Sequence, residues 1–127
     1  MDPIDADLDA ISAAVQTYLD GLYEADADKL ESVFHPTCVL THVTPEGLQT
    51  IPRDTWLAAV RTRRSSKDQG LGRYDRILLL DRIGPTMALV KLNCAIPPRF
   101  FTDLLAFLKI DGRWQVAQKV FETEWRT

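Results

Sequence analysis

Leu8, Ile11, Val15, Tyr18 and Leu22 recur at spacings of three and four, which predicts an amphipathic helix over residues 6 to 25. Asp5 or Asp7 can cap its start. A second helix follows almost at once. Asp26 or Asp28 caps it, Leu30, Val33 and Phe34 form its apolar face, and Pro36 closes it. From Cys38 to His42 the pattern turns strand-like, Pro45-Glu46-Gly47 supplies a turn, and Leu48 to Ile51 return. Pro52 suits the first turn of a third helix, with Trp56, Leu57 and Val60 on its apolar face. Ser65 to Gly72 is the most loop-like stretch. Strands are then predicted over 74 to 83, 86 to 96, 99 to 110 and 113 to 123. Gly84-Pro85, Pro97-Pro98 and Asp111-Gly112 divide them, the last being the strongest hairpin signal in the chain. Helices first and a strand meander afterwards predict one α+β domain over residues 1–127. About three helices pack into a strongly curved antiparallel sheet that encloses a small pocket.

Several strands are apolar on both alternating sets. Phe101, Leu105 and Phe107 oppose Phe100, Leu104, Ala106 and Leu108, and Trp114, Val116 and Val120 oppose Ala117 and Phe121. Such strands need cover on both faces, and three helices cover only one. The open face is expected to meet a second copy of the chain, giving a homodimer.

Charge narrows the partners. A net charge of −3 argues against nucleic acid, which needs a clustered basic face. The only basic run, Arg61, Arg63, Arg64 and Lys67, reads as a solvated helix end. No apolar run approaches the length of a membrane span, and the acidic opening lacks the apolar stretch of a secretory signal. The expected location is therefore cytoplasmic, with no membrane partner. Cys38 and Cys94 are expected there as buried, inert thiols. The two histidines and two cysteines occur at no metal-ligand spacing, and no phosphate loop or glycine fingerprint is present. Neither a metal nor a cofactor is expected.

The stretch from Val15 through Tyr18-Leu19-Asp20-Gly21-Leu22 to Val33-Phe34-His35-Pro36 resembles the opening of the nuclear transport factor 2-like superfamily. Asp103-Leu104-Leu105, Leu108 to Val116 and Lys119-Val120-Phe121 resemble the ending of its branch called putative lumazine-binding proteins. The resemblance implies a cone-shaped α+β barrel of the cystatin-like type, dimeric through the open face of its sheet. The superfamily contains isomerases, dehydratases, cyclases and binding modules, so the fold alone decides no function. Comparison with the ketosteroid isomerases of the superfamily implies an oxyanion-holding Tyr at Tyr18, a general base at His42 and a protonated carboxyl at Asp103.

Each candidate also has a structural reading. His42 is a workable base near neutral pH, or a strand-end histidine bonded to a neighbour. Tyr18 is an oxyanion donor, or a core aromatic with a satisfied hydroxyl. Asp103 is a proton carrier, or half of an ion pair. A two-residue turn at Asp111-Gly112 puts Asp103 on one face with Trp114, Val116 and Val120, and Lys119 on the other with Leu104 and Phe121. A three-residue turn pairs Asp103 with Lys119 directly, which keeps Asp103 ionised. Phe34, Trp56, Lys119 and Phe121 are the expected ligand-binding side chains, suited to a small hydrophobic or planar molecule. The leading functional reading is a small-molecule-binding domain. The alternatives are a cofactor-free proton-transfer enzyme using His42 and Tyr18, and a dimeric interaction module without activity.

Overall fold

In a computed structural model describing residues 2–127, the polypeptide runs through three helices and six strands. They are α1 (Pro3–Glu24), α2 (Ala27–Val33), β1 (Phe34–Thr44), β2 (Gly47–Pro52), α3 (Arg53–Thr62), β3 (Arg76–Arg82), β4 (Met87–Ile96), β5 (Arg99–Ile110) and β6 (Arg113–Trp125). The cap of α1 is Asp2, whose carboxylate accepts from the Ile4 amide at 2.7 Å, with Pro3 in the first turn. It is neither Asp5 nor Asp7. The apolar stripe does what its period predicts: Ile11, Val15, Tyr18, Leu19 and Leu22 are buried. Ala25 ends α1 in the left-handed region, and Asp26 caps α2 by accepting from the Asp28 and Lys29 amides. Gly21 allows these helices to close on each other, because a Cβ there would lie 2.9 Å from Leu30 Cδ2.

The second helix stops before Pro36. That residue lies inside β1, in the interval where pairing with β6 is interrupted between Phe34 and Val39. A proline has no N–H to give to the ladder, so it fits where the ladder is broken.

The six strands form one sheet in the order β2-β1-β6-β5-β4-β3. All neighbours are antiparallel except β1 and β6, which run parallel. The sheet is mixed because the chain leaves β1 through β2 and α3 and re-enters beside it only with its last strand. The helices cover the concave side, α1 against β3, β4 and β6 and α3 against β1 and β2. Their shared core includes Tyr18, Phe34, Leu40, Val90, Leu105 and Phe107. No helix among the described residues is long and apolar enough to cross a membrane.

Asp7 is buried and ties the start of α1 to the far end of the sheet. Its Oδ1 accepts from Trp114 Nε1 at 3.0 Å and Lys109 Nζ at 3.1 Å, and its Oδ2 accepts from Arg82 Nε at 2.9 Å.

The β5–β6 hairpin settles the register question in a way neither expected turn allows. The turn has two residues, with Ile110 opposite Arg113, and the ladder then shifts between Ala106 and Phe107. The extra residue, Ala117, forms a β-bulge in β6. Side chains alternate strictly along a strand, so one extra residue exchanges the faces of everything beyond it. Trp114 and Val116 point inward before the bulge, Lys119 and Phe121 after it. Lys119 is consequently 6% exposed and Val120 is 51% exposed. Asp103, opposite Phe121, shares the inner face with Lys119, diagonal to it rather than paired with it.

Candidate functional site

Between α3, β1, the first half of β5 and the second half of β6 lies a cavity of about 830 Å³, partly open at the end of the sheet that carries the β1–β2 turn. Its walls are mainly apolar, with Leu40, Ile51, Trp56, Phe101 and Phe121 prominent. Four basic side chains reach it: His42, Lys119, Arg63 and Arg99. Its carboxylate, Glu46, sits on the exposed β1–β2 turn and accepts from Thr44 Oγ1 at 3.1 Å. The volume lies in the range of small-molecule sites, and apolar walls with a few convergent polar groups are their usual make-up.

The floor is built around Lys119. Its ammonium donates to the Tyr18 hydroxyl at 2.9 Å and stands 3.7 Å from Asp103 Oδ2. It also lies about 5 Å from the ring centres of Tyr18, Trp56 and Phe121, an aromatic surround that favours a cation. Tyr18 in turn donates to Asp103 Oδ2 at 2.5 Å, and Cys94 Sγ donates to the same oxygen at 3.5 Å. An ammonium can only donate, and a phenol has one proton. The polarity of the chain is therefore fixed as Lys119 to Tyr18 to Asp103. Burial, and then the Asp103 charge, push the Tyr18 hydroxyl well above the usual phenol range, so it stays protonated. Asp103 Oδ1 is buried without a hydrogen-bond partner.

This geometry changes the expected roles. Tyr18 and Asp103 are fully buried and do not line the cavity. The single proton of Tyr18 is already committed to Asp103, so Tyr18 cannot hold an oxyanion in the cavity. Asp103 accepts on Oδ2 from two donors and lies beside an ammonium, so that oxygen is the acceptor end of the relay. The group these two present to the cavity is Lys119. Phe34 is also fully buried and stands behind Trp56, edge-on at 4.9 Å between ring centres; it supports the wall without lining it.

Three expected residues do line the cavity besides Lys119: His42, Trp56 and Phe121. His42 and Phe121 are neighbours across the parallel β1–β6 pair and stack at 4.2 Å with 17° between their planes. Burial, and then the charge of Lys119, lower the His42 pKa below the ordinary imidazole value, so the ring is neutral at pH 7. The cysteines offer no nucleophile. Burial raises Cys38 to about 11 and Cys94 well above the thiol range.

Two cavity residues escape the sequence reading. Arg63 sits in the basic run taken as a solvated helix end, yet it turns inward just past α3 and donates to the Leu22 carbonyl at 3.2 Å. Arg99 opens β5 at the same rim, its guanidinium 5.7 Å from the centre of the Phe101 ring. The signal for Arg63 was its place three residues beyond Val60, which continues the apolar face of α3; Arg99 carried none.

Fold and cavity together define a curved-sheet α+β protein with a partly open cavity. The chain belongs to the family described as Putative lumazine-binding, whose model matches residues 6–122. Its architecture is that of nuclear transport factor 2-like proteins. One such protein of unknown function, from Shewanella baltica OS155, superposes with a TM-score of 0.84 at 21% identity, over 95% of this chain and 96% of that one. Another, from Silicibacter pomeroyi DSS-3, gives 0.79 at 19% identity over 95% and 98%. A ketosteroid isomerase-like protein from Erwinia carotovora atroseptica SCRI1043 gives 0.72 at 17% identity over 94% and 97%. A curated relative, the aldolase FrzH of a Cladobotryum species, is 42% identical over 41 residues. That stretch is 31% of this chain and 33% of the aldolase, so the match spans about a third of either protein.

Proposed function

We propose that the protein is a small-molecule-binding domain whose ligand lies between Trp56 and Phe121 with a polar group directed at Lys119. The observation that carries this reading is the floor itself: a buried ammonium held by Tyr18 and Asp103, with its open side toward a ligand-sized cavity. A lysine kept only for stability would be expected to close against its carboxylate without lining a cavity. The family description makes lumazine, a planar bicyclic dione, a natural first probe. Titration calorimetry with lumazine and with hydroxynaphthalenes tests the reading. It predicts saturable binding that weakens in Lys119→Met. Absence of binding by any planar compound would sink it.

A second reading is favoured by His42, which faces the same cavity as Lys119 and is held neutral. In a cofactor-free proton transfer, the imidazole would take a proton from a carbon next to a carbonyl. The electron pair of that C–H bond would move onto the carbonyl oxygen, and Lys119 would stabilise the enolate. The imidazolium would then return the proton to carbon. Tyr18 and Asp103 would position Lys119 and take no part themselves. The aldolase relative makes carbonyl chemistry a reasonable class to try. The test is solvent deuterium incorporation into cyclohexanone and related simple ketones. The rate should rise with pH through a midpoint below 6.5 and fall in His42→Gln. Exchange equal in that variant would remove His42 from the chemistry.

The outer face of the sheet supports a homodimer as a further part of the proposal. Leu104 and Val120 face each other across β5 and β6 there, with Leu108 opposite Met87 alongside, all exposed. Sedimentation at micromolar concentration should give a dimer, and Leu104→Glu should shift it toward monomer. A wild-type monomer would refute the assignment of this face.

A further inference from the structure

We propose that the cavity selects an organic anion, a planar acid whose carboxylate is held between Arg63 and Arg99 while its ring lies against Trp56 and Phe121. This names the substrate class and rests on the small-molecule-binding reading above.

Arg53 and Arg82, which are withdrawn from water, each hold a carboxylate at 2.9 Å. Arg64, Arg76 and Arg113 have no carboxylate at ion-pair distance but are exposed, so water solvates them. Arg63 and Arg99 fit neither group. Both are half-buried, both line the cavity, and neither has a carboxylate within ion-pair distance among the described residues. The Arg63 guanidinium meets only the Leu22 carbonyl, and Arg99 only the face of Phe101.

Two desolvated like charges at one rim raise each other's energy. The guanidinium of Arg63 is in fact lowered from its usual value, first by burial and then by the charge of Arg99. A fold keeps such a pair at a cost unless something neutralises it, and here the neutralising group must come from outside. Glu46 does not serve, since it lies on the exposed turn engaged with Thr44. Lys119 is already matched by Asp103. The uncompensated positive charge of the cavity is therefore at its mouth. A guanidinium presents paired donors that match a carboxylate, and apolar walls strengthen that attraction by keeping water away. An acid entering ring-first would place its carboxylate at the rim and carry the remaining polar group of its ring down to Lys119.

The experiment compares 2-naphthoate with 2-naphthamide, which share a ring and differ in charge. Titration calorimetry on the wild-type chain should show the acid binding about tenfold or more tightly than the amide, with only the acid weakened by added salt. In the Arg63→Gln, Arg99→Gln double variant the preference should fall to near unity. Because Arg63 also holds the Leu22 carbonyl, Arg99→Gln alone is the second variant; it removes no hydrogen bond within the protein and should lose part of the preference. Equal binding of acid and amide by the wild type would overturn the anion assignment and leave the binding reading standing. No binding of either would overturn both. A preference that survives both variants but disappears in Lys119→Met would place the anion at the floor, and the arginine assignment would fall.

Discussion

Two buried carboxylates sit beneath the same sheet, and they differ in what is left over. Asp7 has both oxygens occupied, by Trp114 and Lys109 on one and Arg82 on the other, and it joins α1 to β3, β5 and β6. Asp103 has its donors crowded on Oδ2, from Tyr18 and Cys94, and nothing on Oδ1. The lysine beside Asp7 leads to solvent, whereas the lysine beside Asp103 opens into a cavity. A carboxylate whose bonding is complete acts as a clamp. One that positions a cation toward empty space acts as the foundation of a site. The distinction is energetic: a closed cluster has no remaining polar capacity for a ligand to satisfy.

The largest effect should come from breaking the open cluster on one side only. Lys119→Met leaves the buried Asp103 carboxylate without its cation, which should cost about 3 kcal/mol of stability. Adding Asp103→Leu should recover most of that loss while ligand affinity stays lost, as read by denaturant unfolding beside calorimetry. If the double variant were as unstable as the single one, the ion pair would not be the source of the cost.

Next in size is the response of the clamp to acid. The hydrogen bond from Trp114, helped by Arg82 and Lys109 against the cost of burial, lowers the Asp7 carboxyl to about 2. A pKa lowered on folding contributes stability that is fully present above the unfolded value near 3.8 and lost as pH falls toward 2. Melting temperature followed between pH 5 and pH 2 should therefore drop steeply in the wild type. Asp7→Asn should be less stable at pH 5 and show a flatter slope. An unchanged slope would mean that some other carboxylate carries the acid response.

A smaller effect is expected at Tyr18. From sequence alone Tyr18→Phe reads as nearly neutral, since only a hydroxyl is lost. The structure places that hydroxyl between Lys119 and Asp103, so the substitution removes a bond at each side and should cost about 1–2 kcal/mol. A change well under that range would show that Lys119 closes directly onto Asp103 when the hydroxyl is gone.

These contrasts also mark what was legible in the chain. Periodicity carried the helices, because one face of α1 is apolar at every third or fourth position, and Asp111-Gly112 carried the last hairpin. The register beyond that hairpin was not legible. Both alternating sets of β6 are apolar, so nothing in the pattern forbids either face, and the bulge at Ala117 leaves no mark of its own. Trp56 and Phe121 were named because aromatic side chains in apolar stretches are conspicuous, whereas His42 was implied by the resemblance to the ketosteroid isomerases. Arg63 looked like part of a solvated run, and only its bond to the Leu22 carbonyl of α1 shows that it turns inward. Asp7 looked like a helix cap, since its partners stand 75 to 107 positions away. Contacts of that range depend on topology, which local pattern does not encode.

The Asp103 cluster should face a ligand, and the Asp7 cluster should not. The measurement that tests it most directly is a nuclear magnetic resonance titration of lysine side-chain signals with 2-naphthoate. Binding in the cavity should move the Lys119 resonance in a saturable way and leave that of Lys109 in place. A Lys119 signal that stays fixed, or one that moves no more than Lys109, would contradict it.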